Sequence, residues 1–258
     1  MTPAAAWPVL AVSGLAVGSF LNVCIHRLPR RESLAWPGSH CPRCGRRLRW
    51  YENIPVVSFV ALGGRCRSCR APISIRYPLV ELATLAAFGL QYWAVGWQPL
   101  LVPRLIFSCA MIVLFAIDLE HQILPNRITV PGIVAGLAFS VFLPPGWRSA
   151  LLGIVVGGGL LWAIATGWEL LRGIEAMGFG DVKMLAMIGA FLGWKLVLVT
   201  FALSTVAGGL LGAGLLLAGR GKMTTALPFG TFLALGALAS SLVGEQLFAW
   251  YLSLYYVR

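Results

Sequence analysis

Acidic side chains are scarce in this sequence. Its 258 residues include nine Asp and Glu, and Asp118 and Asp181 are the only aspartates. Charged residues of both signs make up 11%, less than half of the roughly 25% that is usual in a soluble domain. Hydrophobic residues instead make up 59%, and the mean hydropathy is +0.83. The composition excludes an ordinary soluble globule and predicts an integral membrane protein.

Several familiar kinds of catalytic site are also missing. The three histidines, His26, His40 and His121, are far apart, and no HExxH motif of a zinc protease occurs. No GxSxG motif marks a serine hydrolase. No glycine-rich fingerprint follows a strand pattern, so no Rossmann domain is expected. These absences leave the few carboxylates and the cysteines as the residues that carry chemistry.

Apolar runs close to 20 residues long recur along the chain. About 20 apolar residues cross a bilayer as a helix, and runs that are continuously apolar rather than alternating disfavour a β-barrel. The first run lacks the basic segment and cleavage site of a signal peptide, so we expect it to be retained. We predict an all-α polytopic membrane protein with about eight transmembrane helices, at 5–24, 79–97, 100–118, 128–144, 149–171, 182–198, 200–219 and 228–250.

The basic residues are distributed unevenly between the connections. Of 20 Lys and Arg, eleven are arginines in the range 27–76, and only four would lie on the opposite side of the membrane. By the positive-inside rule the N-terminus is outside and the range 27–76 is cytoplasmic. Topology therefore accounts for the net charge of +11, and no nucleic-acid partner is expected. The five remaining basic residues fall in or beside alternate later connections: Arg127, Arg172, Lys183, Arg220 and Lys222.

Four cysteines lie in the one sizeable soluble segment, 27–78. They form two CxxC pairs, which can supply four thiolates to a tetrahedral Zn²⁺ with no position open for water, so the metal would be structural. Two disulfides are the alternative, and a reducing cytoplasm disfavours them. We predict a small zinc-ribbon-like insert with strands between helices 1 and 2, following a first helix at 1–26 and preceding a transmembrane domain at 79–258. The expected ligands are Cys41, Cys44, Cys66 and Cys69.

The two aspartates flank a pair of predicted spans. Asp118 ends the third span and Asp181 begins the sixth. The fourth and fifth spans cross the membrane twice, so we expect both aspartates at the same membrane face. The uneven distribution of basic residues predicts that this face is cytoplasmic. Two close carboxylates sharing one proton can hydrolyse a peptide, because one activates water while the other donates to the carbonyl. Gly178 and Gly180 would allow close backbone approach. The alternatives are that Asp181 is a helix N-cap and that Asp118 faces water.

Several ordered motifs recur along the chain, at 18–29, both CxxC pairs, 51–55, 64–69, 75–82, 178–181 and 227–230. Together they resemble the motifs of the bifunctional prepilin leader peptidases, a type IV leader peptidase family of GxGD intramembrane aspartic proteases. In the range 51–55, Glu52 stands where an aspartate is common in that family.

The resemblance implies two activities in the bacterial inner membrane. Such enzymes cut the short basic leader from type IV prepilins and type II secretion pseudopilins, typically after a glycine that precedes phenylalanine. They then methylate the new N-terminal amine with S-adenosylmethionine, an activity linked to the cysteine segment. Asp118 and Asp181 occupy the positions of the catalytic aspartates. A peptidase without methyl transfer and a non-catalytic zinc-stabilised scaffold are the alternatives.

Recognition of a basic leader requires negative charge. The range 27–76 carries eleven arginines against Glu32 and Glu52, so it would repel such a leader. We therefore expect leader recognition by carboxylates elsewhere, such as Glu120 or Glu175.

Overall fold

The computed structural model describes residues 3–173, 178–219 and 227–256. Arg220 and Lys222, two of the predicted cytoplasmic charges, lie outside these ranges. The described chain is helical, with one 3-10 turn at Trp50–Asn53. The α-helices are α1 (Pro3–Arg27), α2 (Val57–Ala61), α3 (Arg76–Val95), α4 (Leu101–His121), α5 (Asn126–Phe142), α6 (Trp147–Arg172), α7 (Phe179–Leu217) and α8 (Phe229–Tyr256).

Six of the described helices are long and apolar enough to cross a membrane: α1, α3, α4, α6, α7 and α8. Helix α5 is apolar but has only 17 residues. The all-α membrane fold is therefore confirmed, whereas the count of eight separate helices is not. Helix α7 contains 39 residues and includes both predicted spans 182–198 and 200–219. At 1.5 Å per residue it would be about 58 Å long if straight, roughly twice the thickness of the hydrocarbon core.

Gly193 interrupts α7 and explains its length. Its backbone has a φ of 79° and a ψ of 173°, a conformation that glycine adopts without the clash of a side chain. It also packs tightly at the α5–α6 connection, since a Cβ there would lie 2.4 Å from the Ser149 Oγ and 3.0 Å from the Pro145 Cβ. The break that was expected near residues 194–195 therefore occurs at Gly193, inside α7.

The second half of α7 runs antiparallel to α8. Near Gly193, Leu196 contacts Gly244 in the second half of α8. Farther along α7, the Ser204 hydroxyl donates to the Phe232 carbonyl in the first turn of α8, at 3.0 Å. The chain therefore changes direction at Gly193.

Helices α6 and α7 approach each other backbone to backbone. A Cβ on Gly189 would lie 2.1 Å from the Gly153 carbonyl oxygen, so no larger residue fits at this crossing. Small residues of this kind let membrane helices pack by van der Waals contact where lipid provides no hydrophobic drive. This contact holds the first half of α7 against α6. The buried core of the unit Val102–Arg258 surrounds it and includes Phe107, Met111, Leu114, Leu161, Leu185, Met187, Ile188 and Leu233.

The unit Met1–Leu101 consists of α1, α3 and the cysteine segment between them. Helices α1 and α3 cross closely at Gly18, where a Cβ would lie 2.7 Å from the Glu81 Cα. The strands predicted for the cysteine segment are wrong in the described residues. Pairing is limited to two isolated antiparallel bridges, His40 with Arg47 and Arg65 with Pro72. The described segment instead satisfies its backbone locally, in tight turns beside the cysteines, such as the Gly45 N–H to the Cys41 carbonyl at 2.9 Å.

Candidate active site

Asp118 lies in the last turn of α4 and is 5% exposed. One carboxylate oxygen, Oδ2, accepts two hydrogen bonds from Thr231, at 2.7 Å from the backbone N–H and 3.0 Å from the hydroxyl. Thr231 is the third residue of α8. The alternative in which Asp118 simply faces water is therefore wrong, because the start of α8 covers it.

Asp181 is the third residue of α7, and Gly178 rather than Asp181 occupies the N-cap position. The N-cap alternative for Asp181 is therefore wrong. The side chain is 9% exposed, and its Oδ1 has no hydrogen-bond partner within the described parts of the chain. The two carboxylates are near enough to interact electrostatically. The structure thus brings Asp118 and Asp181 together at one end of the unit Val102–Arg258, as the count of crossings predicts.

Glycines on two helices make room for this pair. A Cβ on Gly230 would lie 3.0 Å from the Asp118 Oδ2, and a Cβ on Gly180 would lie 2.9 Å from the Leu124 Cβ. Gly178 differs, because a Cβ there would be 3.9 Å from the nearest side-chain atom, an oxygen of Asp181, which is an ordinary contact distance. Close packing is thus found at Gly180, against Leu124, and the approach of both glycines to a substrate stays a prediction.

The site depends on a residue that sequence reasoning missed. Thr231 supplies both donors to Asp118, yet it is 113 positions away in the chain. The one feature of the sequence that could have indicated Thr231 is its position immediately after the 227–230 motif, at the start of a predicted helix.

Two carboxylates were expected to recognise a basic leader. Glu120 lies in the last turn of α4, with its Oε2 3.8 Å from the His121 Nε2, and Glu175 lies outside the described residues.

The four cysteines converge as the zinc prediction requires. Their sulfur atoms all lie within 4.8 Å of one another, and the Cys41 and Cys69 sulfurs are 3.8 Å apart. A tetrahedral Zn²⁺ with Zn–S bonds of about 2.3 Å separates its sulfur ligands by about 3.8 Å. None of the four forms a disulfide. The donor set therefore fits a structural Zn²⁺.

Both CxxC turns have the same local structure. The Cys41 N–H donates to the Arg46 carbonyl at 2.9 Å, and the Cys66 N–H donates to the Ala71 carbonyl at 2.8 Å. Each turn ends in a residue with positive φ that directly follows its second cysteine, at positions 45 and 70. Backbone N–H groups of residues 69 and 68 donate to the Cys66 sulfur and lower the pKa of this thiol to about 6. Such donors favour the thiolate, which is the form that binds metal.

Glu52 holds the segment between the two CxxC turns. Its carboxylate accepts the Arg49 N–H at 2.8 Å and pairs with the Arg46 guanidinium at 2.7 Å. The hydrogen bond from the Arg49 N–H has the larger effect and the Arg46 side chain the next, and both lower the pKa of Glu52 below its ordinary value. Glu52 therefore stabilises the loop as an anion, a role that tolerates either acidic residue at this position.

Comparison with known proteins gives consistent matches over most of the chain. Residues 12–95 match the Bacterial Peptidase A24 N-terminal domain, and residues 105–213 match the Type IV leader peptidase family. No solved structure matches the chain significantly.

Three curated relatives are all named prepilin leader peptidase/N-methyltransferase. The protein from Pseudomonas aeruginosa is 38% identical, over 93% of this chain and 91% of its own length. The protein from Stutzerimonas stutzeri is 38% identical, over 93% of this chain and 92% of its own length. The protein from Myxococcus xanthus is 46% identical, over 81% of this chain and 63% of its own length.

Proposed function

This chain belongs to the type IV leader peptidase family, and from that premise we propose that Asp118 and Asp181 are its catalytic pair. The enzyme cleaves the leader peptide from prepilins and N-methylates the new N-terminal residue. One observation carries the assignment of the pair. Two buried carboxylates lie near enough to interact electrostatically, one of them bonded twice by Thr231 and the other with an oxygen that has no partner among the described residues.

We infer different roles for the two carboxylates from their hydrogen bonds. The donors from Thr231 stabilise Asp118 as the ionised partner, which takes a proton from a water molecule. Within the described residues Asp181 receives no such donor at its buried Oδ1, and burial without a partner favours the neutral acid. The water oxygen attacks the scissile carbonyl carbon while Asp181 donates its proton to the carbonyl oxygen. Collapse of the tetrahedral intermediate then breaks the carbon–nitrogen bond, as one hydroxyl of the intermediate returns a proton to Asp181 and the leaving nitrogen receives the proton taken up by Asp118.

The membrane orientation follows from crossings and charge. Helices α5 and α6 separate the two carboxylates, and the 17 residues of the apolar helix α5 are at the lower limit for a spanning helix, so we infer that two crossings return the chain to one face. We assign that face to the cytoplasm and the N-terminus to the outside, because eleven arginines lie in the range 27–76. The enzyme is a multi-pass protein, and we place it in the bacterial inner membrane.

We assign methyl transfer to the N-terminal part of the chain, with S-adenosylmethionine as the donor of the methyl group. The cysteine segment at 27–78 is held by Zn²⁺ on Cys41, Cys44, Cys66 and Cys69, whose sulfur positions support this assignment. A site with four sulfur ligands has no open coordination position, so the metal shapes the segment and takes no part in the reaction.

Co-expression with a type IV prepilin tests the function directly. We expect mass spectrometry of the recovered pilin to show loss of the leader and addition of one methyl group at the new N-terminus. Cleavage without methylation, with S-adenosylmethionine present, would establish a peptidase alone. An intact prepilin would support the non-catalytic scaffold.

Substitution of Thr231 tests the roles within the pair. Thr231→Val keeps the shape and the backbone N–H but removes the hydroxyl that donates to Asp118. We expect kcat/KM for prepilin cleavage to fall about 10- to 100-fold, since a hydrogen bond to a charged group contributes about 1.5–3 kcal/mol. Thr231→Ser restores the hydroxyl and is expected to recover most of the activity. Equal losses in both variants would show that the side chain only packs and does not position Asp118.

A further inference from the structure

A cavity of about 590 Å³ lies within the unit Met1–Leu101, where α1 and α3 meet the cysteine segment. This volume is within the range of small-molecule sites in proteins. Its walls include Asn22 from α1, Glu81 from α3, and Val56, Phe59 and Cys66 from the segment between them. The peptidase pair uses none of these residues.

Asn22 presents an unpaired acceptor at this cavity. It is 2% exposed, and its Nδ2 donates to two carbonyl oxygens, those of Tyr77 at 3.0 Å and Gly18 at 3.3 Å. Because both neighbours are acceptors, the orientation of the amide is determined and Oδ1 points away from them. Oδ1 is buried and has no partner among the described residues. A buried acceptor without a donor is costly, which indicates a ligand that supplies an N–H or O–H.

Glu81 adds a carboxylate to the same cavity and is 6% exposed. Its Oε2 accepts the Val56 N–H at 2.7 Å, and the Ser19 hydroxyl donates to the carboxylate as well. A carboxylate has about four acceptor positions, so these two neutral donors leave capacity for a third partner.

The backbone that bonds Glu81 is strained. Val56 has a φ of 60° and a ψ of −49°, and the Val57 N–H closes a tight turn onto the Pro55 carbonyl at 2.6 Å. A β-branched residue rarely adopts positive φ, and such strain persists where the surrounding structure requires it, often at functional sites. Here the turn directs the Val56 N–H at Glu81 and holds the carboxylate at the cavity wall.

We propose that this cavity is the methyl-transfer site and that Glu81 and Asn22 bind the primary ammonium group of the newly exposed pilin N-terminus. This proposal rests on the methyltransferase activity given above. Oxygen acceptors at a buried site select a group that carries several N–H donors and a positive charge, and a primary ammonium has both. The amino group of S-adenosylmethionine has the same chemistry. The reaction favours the pilin amine at Glu81, because this amine must lose a proton before it can attack.

The step balances with groups named here. One proton passes from the pilin ammonium to the Glu81 carboxylate, which frees the nitrogen lone pair. The nitrogen forms a bond to the methyl carbon of S-adenosylmethionine as the carbon–sulfur bond breaks. The bonding electrons stay on sulfur, which becomes the neutral thioether of S-adenosylhomocysteine. The proton on Glu81 then leaves to water, and the amine carries one methyl group.

Glu81→Gln tests the assignment in the full-length enzyme. The acceptor is a short synthetic peptide with a free N-terminal phenylalanine, so methyl transfer is measured without prior cleavage. We expect kcat/KM for the peptide to fall about 100-fold at neutral pH, as is typical for loss of a general base. Raising the pH through about 8, where an α-amino group loses its proton unaided, is expected to recover much of the activity. Glu81→Gln is also expected to keep its affinity for S-adenosylmethionine and its zinc content.

Glu169→Gln is the matched control, because Glu169 is an exposed carboxylate of α6 and does not line this cavity. It is expected to methylate the peptide at the wild-type rate. Unchanged methylation by Glu81→Gln would overturn the proposal. Loss of S-adenosylmethionine binding in Glu81→Gln, with peptide binding intact, would place the amino group of the methyl donor at Glu81 and also overturn it.

A second measurement needs no variant. In the wild-type enzyme with S-adenosylhomocysteine bound, the free-amine peptide is expected to bind at least about tenfold more tightly than its N-terminally acetylated form, which has lost the charge. Equal binding of the two peptides would overturn the proposal. Failure of the wild-type enzyme to methylate any free-amine peptide would instead remove the methyltransferase function itself, so the two failures are distinguishable.

Discussion

Asp118→Asn and Asp181→Asn each reduce leader cleavage about 10⁴-fold or more, the scale of loss when one member of a catalytic unit is removed. An amide in place of Asp118 cannot take a proton from water, and an amide in place of Asp181 cannot supply a proton to the carbonyl oxygen. Both changes preserve side-chain shape, so the helices are expected to insert and pack as before. The measurement is kcat/KM for a purified prepilin in detergent or lipid.

The control for these variants is Glu245→Gln, the same chemical change at an exposed carboxylate in the second half of α8. It is expected to cleave at the wild-type rate. Methylation of a pre-cleaved peptide is expected to survive Asp118→Asn, because methyl transfer needs no part of the pair. Substantial cleavage by either aspartate variant would remove Asp118 and Asp181 as the catalytic pair.

Loss of the zinc site has the second large effect. Cys66→Ser removes one of four ligands, and metal binding contributes about 10–16 kcal/mol to the folding of zinc-finger peptides. That is comparable to the entire stability of an ordinary domain. We expect zinc to be lost, the segment 27–78 to unfold, and methyl transfer to fall below detection while leader cleavage persists. Metal analysis, limited proteolysis and the two activity assays measure these outcomes.

Cys109→Ser provides the matched control, since Cys109 lies in α4 outside the four-cysteine cluster. It is expected to retain zinc and both activities. Full methylation by a zinc-free Cys66→Ser enzyme would show that the metal is unnecessary for the methyltransferase. Loss of cleavage together with methylation would show that the peptidase also depends on the cysteine segment.

The helical membrane fold could be predicted because hydrophobicity is a local property. Every described helix that is long enough to span a membrane overlaps a predicted apolar run. The cysteine cluster was predictable for a similar reason, since each CxxC pair forms a tight turn by itself. These features depend on residues that are close in sequence.

Features that join distant parts of the chain could not be predicted. The two bonds from Thr231 to Asp118 exist because α8 returns to the end of α4, and the break at Gly193 depends on its contact with the α5–α6 connection. The expected strands are missing from the described residues, because the cysteine segment satisfies its backbone in local turns. The Asn22 Nδ2 donates to the carbonyl of Tyr77, 55 positions away, and only this contact shows that the Asn22 Oδ1 has no partner among the described residues.

The amino-acid sequence by itself thus determined the membrane character and which four cysteines come together, because local hydrophobicity and turn spacing suffice for these. Only the tertiary structure decided which aspartate receives the two bonds from Thr231, and where a cavity lies whose buried amide oxygen has no partner in the described part of the chain. Those properties depend on which donors reach a buried oxygen, and long-range packing controls that.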